Sequence, residues 1–186
     1  MVAACAQKAA VMDLIQEQAR RNTDADATWT LYAPHRQRVT QLLLNARTSS
    51  SERLCLLGAG NLNDLDLAAL SSAFREIVLV DLDEAALRRG LSRQGFAKDP
   101  RFCVVAPTDV SGVFAELAQM EGGVRGRDDA IDSCLRTLAH CTGLGTHVFG
   151  DIVASVGLLT QLIDGVIRSV GESHPRCWEV VSAVRS

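Results

Sequence analysis

Leu54-Cys55-Leu56-Leu57-Gly58-Ala59-Gly60-Asn61-Leu62-Asn63-Asp64 is the stretch that decides the fold. Four apolar residues in a row, with no polar residue alternating between them, suit a parallel strand buried on both faces. The run ends in Gly58-Ala59-Gly60, and Leu65 to Phe74 returns to helical spacing. A strand that enters a glycine turn and leaves as a helix is the first half of a βαβ unit. Glycine is needed there because the backbone bends sharply and a ligand must approach it without meeting a Cβ. The second half follows at once. Ile77-Val78-Leu79-Val80 is another apolar run, and it ends at Asp81, about 20 residues beyond the glycines, where an acid accepts hydrogen bonds from ribose hydroxyls in nucleotide-binding units.

The same alternation extends in both directions. Asp83 to Arg93 has helical spacing, with Asp83 and Glu84 at the start, where the helix dipole favours acids. Phe102 to Val105 is a third strand shortly before Asp109, and Ser111 to Met120 a third crossover helix. Beyond a glycine joint at Gly122–Gly126, Ala130 to Ala139 is a further helix. After the loose stretch Gly143–Gly150, Asp151-Ile152-Val153-Ala154-Ser155 is a fourth strand, followed by helices over Leu158–Val170 and from His174-Pro175 to Ser186. Upstream, residues 3–21 read as a helix with Val11, Leu14 and Ile15 on one stripe. Asn22 to Thr28 reads as a polar break. A second helix begins near Pro34 and carries Val39, Leu42 and Leu43, and Thr48 to Ser51 punctuates the chain. Strands alternating with helices predict an α/β fold: a Rossmann-like parallel sheet with flanking helices. Residues 1–52 form an N-terminal helical cap in this reading, and residues 53–186 the ligand-binding domain.

Composition fits this picture. The chain has 186 residues, 47% hydrophobic and 22% charged, which suffices for a core without disulfides. The formal charge of −3 and the lack of any Arg/Lys block give no field that would draw nucleic acid. Cys5, Cys55, Cys103, Cys134, Cys141 and Cys177 form no Cys-x-x-Cys pair, so reduced thiols in a cytoplasmic protein are expected rather than a disulfide or zinc framework. His140, Cys141 and His147 lie in the loose stretch without the convergence a metal needs, so no metal is expected. Neither a secretory leader nor an apolar run of transmembrane length is evident.

Two ligand classes compete for the glycine turn. A dinucleotide site wants a third glycine, in G-x-G-x-x-G, and here that position is Asn63. Asp64 and Asp66 stand where a pyrophosphate would bind, and added negative charge opposes it. S-adenosyl-L-methionine carries no phosphate, only a sulfonium and an amino-acid end, and tolerates those acids. At this point the chain resembles a family. Leu56-Leu57-Gly58-Ala59-Gly60-Asn61 and then Leu79-Val80-Asp81-Leu82-Asp83 look like the first two motifs of class I S-adenosylmethionine-dependent methyltransferases. Thr108-Asp109-Val110 resembles the region after that family's third strand, and Asp151-Ile152-Val153-Ala154-Ser155 its fourth-strand motif. The resemblance spans about Arg53 to Val170. It implies a methyltransferase in which Gly58, Ala59, Gly60 and Asn61 line the methionine end and Asp64 lies near the methionine amine. Asp81 would hold the ribose, Leu82 lie against the adenine, Asp109 accept from its amine, and Ser155 and Val156 stand near the transferred methyl.

Each assignment has a plainer counterpart. The plainer reading makes Asp81 or Asp64 a helix cap and Asp109, beside Ser111 and Gly112, a turn former. Trp29, Tyr32, Pro34, His35 and Arg36 form a polar–aromatic cluster. Arg36 would either reach over the cofactor to its carboxylate or stand in solvent while the aromatics pack the cap. Arg125 and Arg127 either meet an anionic substrate or lie in a solvated loop. No catalytic base is nominated, and the acceptor, small molecule or macromolecule, is not specified. The pattern lacks the last three strands of that family's seven-stranded sheet. This implies a piece of a longer enzyme, or a binding module completed by a partner or a second copy over an open sheet edge. The alternative function is therefore S-adenosylmethionine binding without transfer; an NAD-dependent oxidoreductase is a weaker third.

Overall fold

A computed structural model describes residues 16, 19–25, 27–113, 116, 117, 120, 127–140 and 150–185. The chain divides into two compact units. One holds the described residues of 18–110 and 144–156 and contains the sheet. The other holds those of 1–17, 111–143 and 157–186 and is helical.

The sheet unit opens with helical residues 19–25. It continues as α1 (Ala33–Asn45), β1 (Arg53–Leu57), α2 (Leu67–Ala73), β2 (Glu76–Val80), α3 (Glu84–Arg93) and β3 (Phe102–Val105), and closes with β4 (Ile152–Ser155). The strands lie in the order β3-β2-β1-β4 with every pairing parallel. The fold is thus α/β with a Rossmann-like parallel sheet, as the apolar runs and their spacing predict. Register is in step across the sheet: Leu57 is paired with Val80 on one side and Ser155 on the other, and Val80 with Val105. All four strands therefore end at one edge.

Side chains alternate between faces along each strand. Leu54, Leu56, Ile77, Leu79 and Phe102 enter a core with Leu43 of α1, Leu67 and Leu70 of α2, and Leu87 and Leu91 of α3. Cys55, Val78 and Val80 form a second buried cluster with Leu57, Val105 and Val110. Burying each of the fully covered leucines contributes about 2 kcal/mol. The helices start where capping chemistry allows. Asp66 accepts from the Ala69 amide at 3.0 Å to begin α2, and Asp83 from the Ala86 amide at 2.9 Å to begin α3. Pro34 occupies the first turn of α1.

The helical unit contains α4 (Arg127–Ala139), α5 (Leu158–Val170) and α6 (Cys177–Arg185). Ile131, Cys134, Val166, Val170, Cys177 and Val180 form its own apolar core. Arg176 pairs with Asp132 at 2.8 Å and Glu179 at 2.8 Å along its surface.

Two expectations change. Asn22–Thr28 reads as a break, yet the chain stays helical through Ala25; Asn22 is buried and bonded to residues far along the chain, and those partners outweigh its turn preference. Ser111 and Gly112 are bent and Val113 is irregular rather than helical; among the described residues of that stretch, 116, 117 and 120 are helical. Most of the predicted 3–21 helix, the joint at 122–126 and residues 143–149, with Cys141 and His147, lie outside the described residues. No helix among the described residues is long and apolar enough to cross a membrane.

Candidate functional site at the strand tips

In the order β3-β2-β1-β4, β1 pairs with β2 on one side and with the last strand, β4, on the other, so the chain order reverses at β1. The crevice beyond the carboxyl ends of β1 and β4 is where such folds bind ligands. The turn after β1 lies at this crevice. Gly58 and Gly60 take φ of 67° and 52°, and Leu62 follows at 60°. The left-handed values at the glycines cost little. At Leu62 the conformation is strained, and the side chain is held in the core at 1% exposure.

The turn is bound to the tip of β2. The amides of Gly58 and Ala59 both donate to the Val80 carbonyl, at 2.9 and 3.3 Å. The Gly60 amide donates to Oδ2 of Asp81 at 2.8 Å, and the Asp83 amide to its Oδ1 at 2.8 Å. Burial raises the Asp81 carboxyl above its ordinary range, and these amides partly offset the rise. Two residues on, Asp83 caps α3. The division of labour is therefore specific: Asp83 holds the helix and Asp81 holds the glycine turn. The Thr108 amide donates to the Asp81 carbonyl at 2.9 Å, which ties the loop carrying Asp109 to the same tip. On the other side the Val156 amide donates to Leu57 at 3.2 Å, and Ser155 is exposed beside it.

The structure thus brings together Gly58, Ala59, Gly60, Asn61, Asp81 and Leu82, with Ser155 and Val156 across β1 and the Asp109 loop across β2. Asp64 stands apart. It lies 3.3 Å from Nε2 of His35 in α1, and burial raises its carboxyl against the pull of His35 and Arg36. Capping of α2 falls to Asp66. Arg36 is not left in solvent. Its guanidinium lies over Trp29 at 3.5 Å and donates to the carbonyls of Trp29 at 3.2 Å and Asn63 at 3.0 Å. Arg93 of α3 lies over the same ring at 4.9 Å and donates to the Asn61 carbonyl at 2.9 Å. The two cations and the indole thus clamp the far side of the turn.

Several contributors carry little sequence signal. Gln94 spans the turn, accepting from the Leu67 amide and donating to the carbonyls of Leu62 and Leu65. Gly90 lies so close to the turn that a Cβ there would meet the Asn61 carbonyl oxygen at 2.5 Å. A glycine inside a helical pattern is the one local hint of such an approach. Asn22, read from sequence as a turn residue, reaches the opposite side: its Nδ2 donates to Asp83 Oδ2 at 3.0 Å, and its carbonyl accepts from Asn61 Nδ2 at 2.9 Å.

The chemistry of the turn bears on the two ligand classes. The amides of Gly58, Ala59, Gly60, Leu62 and Asn63 all donate to protein acceptors, so they form no open cradle for phosphate oxygens. With those amides already engaged, the turn does not fit a pyrophosphate. What the tip does show is an acid set against a glycine bend, with its carboxylate oxygens accepting from the Gly60 and Asp83 amides. Among the described residues no group of three metal-ligating side chains converges. In comparisons with known proteins the chain matches no family model, no curated protein and no solved structure.

Proposed function

We propose that the strand tips bind S-adenosyl-L-methionine and that the chain transfers its methyl group to an acceptor, as the resemblance to class I S-adenosylmethionine-dependent methyltransferases implies. The observation carrying this reading is the 2.8 Å bond between the Gly60 amide and the Asp81 carboxylate. It sets the acid of β2 against the glycine bend of β1, the pairing that nucleoside recognition uses. A carboxylate offers about four acceptor positions, and the amides of Asp83, Gly60 and Leu82 leave part of that capacity for ribose hydroxyls. Leu82 flanks the adenine, Asp109 accepts from its amine, Gly58 to Asn61 meet the methionine end, and Ser155 and Val156 border the acceptor.

When bound, the cofactor supplies an activated methyl group whose sulfur leaves as a neutral thioether. The chain's own task is to place the acceptor in line and keep water out. A cytoplasmic location belongs to the same proposal, supported by free Cys55, Cys103, Cys134 and Cys177. So does association through the outer edge of β4, where Val153 is 50% exposed.

Calorimetric titration with S-adenosyl-L-homocysteine tests the reading. Asp81→Ala removes charge-assisted hydrogen bonds that contribute about 1.5–3 kcal/mol each, so its affinity should fall by roughly ten- to a hundredfold, with circular dichroism checking the fold. Binding that is absent in the wild type, or unchanged in Asp81→Ala, overturns it. Enhanced NADH fluorescence on mixing would point instead to a dinucleotide.

A further inference from the structure

The acid that this site relies on is shut in. Asp81 is 6% exposed and Asn22, on helical residues 19–25, is 7% exposed. The Oδ1 of Asn22 lies 3.4 Å from where a Cβ on Gly60 would stand. A carboxamide therefore occupies the face that the glycine leaves open. With one group it donates to Asp83, and with its backbone carbonyl it accepts from Asn61. A third bond, from Asn63 Nδ2 to the Ala25 carbonyl at 2.7 Å, holds the same stretch. We infer that residues 19–25 are a cover over the glycine turn, latched by Asn22, which a nucleoside ligand must displace; this rests on reading the turn as a nucleoside site.

The attachment is suited to release. None of residues 19–25 belongs to the buried apolar core, and the bonds made by Asn22 and Ala25 are ones that water or a ligand can replace. Asparagine is a poor helix former. Three bonds tie the stretch to the turn and to the start of α3. The stretch presents one donor, to Asp83, and two acceptors, to Asn61 and Asn63, beside the bend assigned to the ligand. Closed and bound states then exclude each other. The apparent affinity of the site is the intrinsic affinity reduced by the open fraction.

The test combines hydrogen exchange and titration. Asn22→Ala should speed amide exchange at 58–63 and bind S-adenosyl-L-homocysteine about tenfold more tightly, the reduction expected for a cover open about a tenth of the time. In the wild type, saturation with S-adenosyl-L-homocysteine should speed exchange at 19–25, a readout that needs no variant to fold. Unchanged or weaker binding in Asn22→Ala, or ligand binding that leaves 19–25 as protected as before, overturns the cover. If Asn22→Ala speeds exchange at 58–63 but neither protein binds S-adenosyl-L-homocysteine, the cover stands and the cofactor reading falls. If neither binds and exchange does not change, both fall.

Discussion

Gly90 and Gly165 offer the same substitution with opposite expected signs. Both stand inside helices, Gly90 in α3 and Gly165 in α5. In a helix interior alanine is favoured over glycine by about 1 kcal/mol. At Gly165 an added Cβ would meet only Leu117 Cδ1, at 3.9 Å, an ordinary contact. The helix preference acts alone there, and Gly165→Ala should stabilise by about 0.5–1 kcal/mol. At Gly90 the Cβ would lie 2.5 Å from the Asn61 carbonyl oxygen, 2.9 Å from its carbon and 3.0 Å from Leu62 Cβ. Two of these are backbone atoms, which cannot rotate aside, so α3 or the turn must shift. Forced overpacking costs about 1–3 kcal/mol, and the shift also strains the Arg93 bond to the Asn61 carbonyl, whose loss costs about 1 kcal/mol more. Set against the helix gain, Gly90→Ala should destabilise by about 1–3 kcal/mol. Thermal melts read both, at about 2–4 °C per kcal/mol for a chain of this size. A Gly90→Ala protein as stable as the wild type would show that α3 does not press on the turn, and the account of how the turn is shaped would fail.

Other consequences follow from particular contacts. Arg36→Lys keeps the charge but loses the flat contact with Trp29 and the double donation. About 1 kcal/mol of stability should go, with a shift in tryptophan emission measured in a Trp178→Phe background; identical melts and spectra would deny the clamp. Cys103 is exposed, whereas burial, helped by Glu116, pushes the Cys134 thiol up to about 12. Among the cysteines of the described residues, a thiol reagent should therefore label Cys103 in the native protein and spare Cys134, Cys55 and Cys177 until unfolding, as read by peptide mass mapping. The Asp81 carboxyl is raised above 3.8 by burial. Its native form holds the proton more tightly than the unfolded chain, so its contribution is full below 3.8 and is lost as pH rises through the native value. The wild type should lose ground to Asp81→Asn over that window in denaturant melts, and a carbon-detected titration of Asp81 with a midpoint below 3.8 would contradict this.

What the sequence made legible is what local period controls. The runs at 54–57 and 77–80 lie in strands because unbroken apolar side chains have no solvent face to turn to, and the run at 102–105 joins them with Cys103 exposed. The alternation of acids hid the finer assignment. Asp64 and Asp66, like Asp81 and Asp83, are two residues apart, and a cap must stand at one fixed place before the first turn. The structure gives both caps to the second acid of each pair. Asp81 is thereby released to face the Gly60 amide. Asn22 and Arg93 were illegible for a different reason: their partners are distant. Asn22 and Arg93 reach one residue, Asn61, from 39 positions before it and 32 after it. Its side chain bonds to the helical stretch 19–25, and its carbonyl to α3. A polar residue beside a glycine turn looks, in sequence, like more turn. In space Asn61 couples two bonds of different character. The one to Arg93 is charge-assisted and stacked against Trp29, and it fixes the turn in shape. The one to Asn22 joins neutral groups, is roughly half as strong, and gives way first. A ligand that pushes on Asn61 would therefore part the turn from its cover before it parted the turn from its clamp, which leaves the turn's shape intact while its open face changes hands.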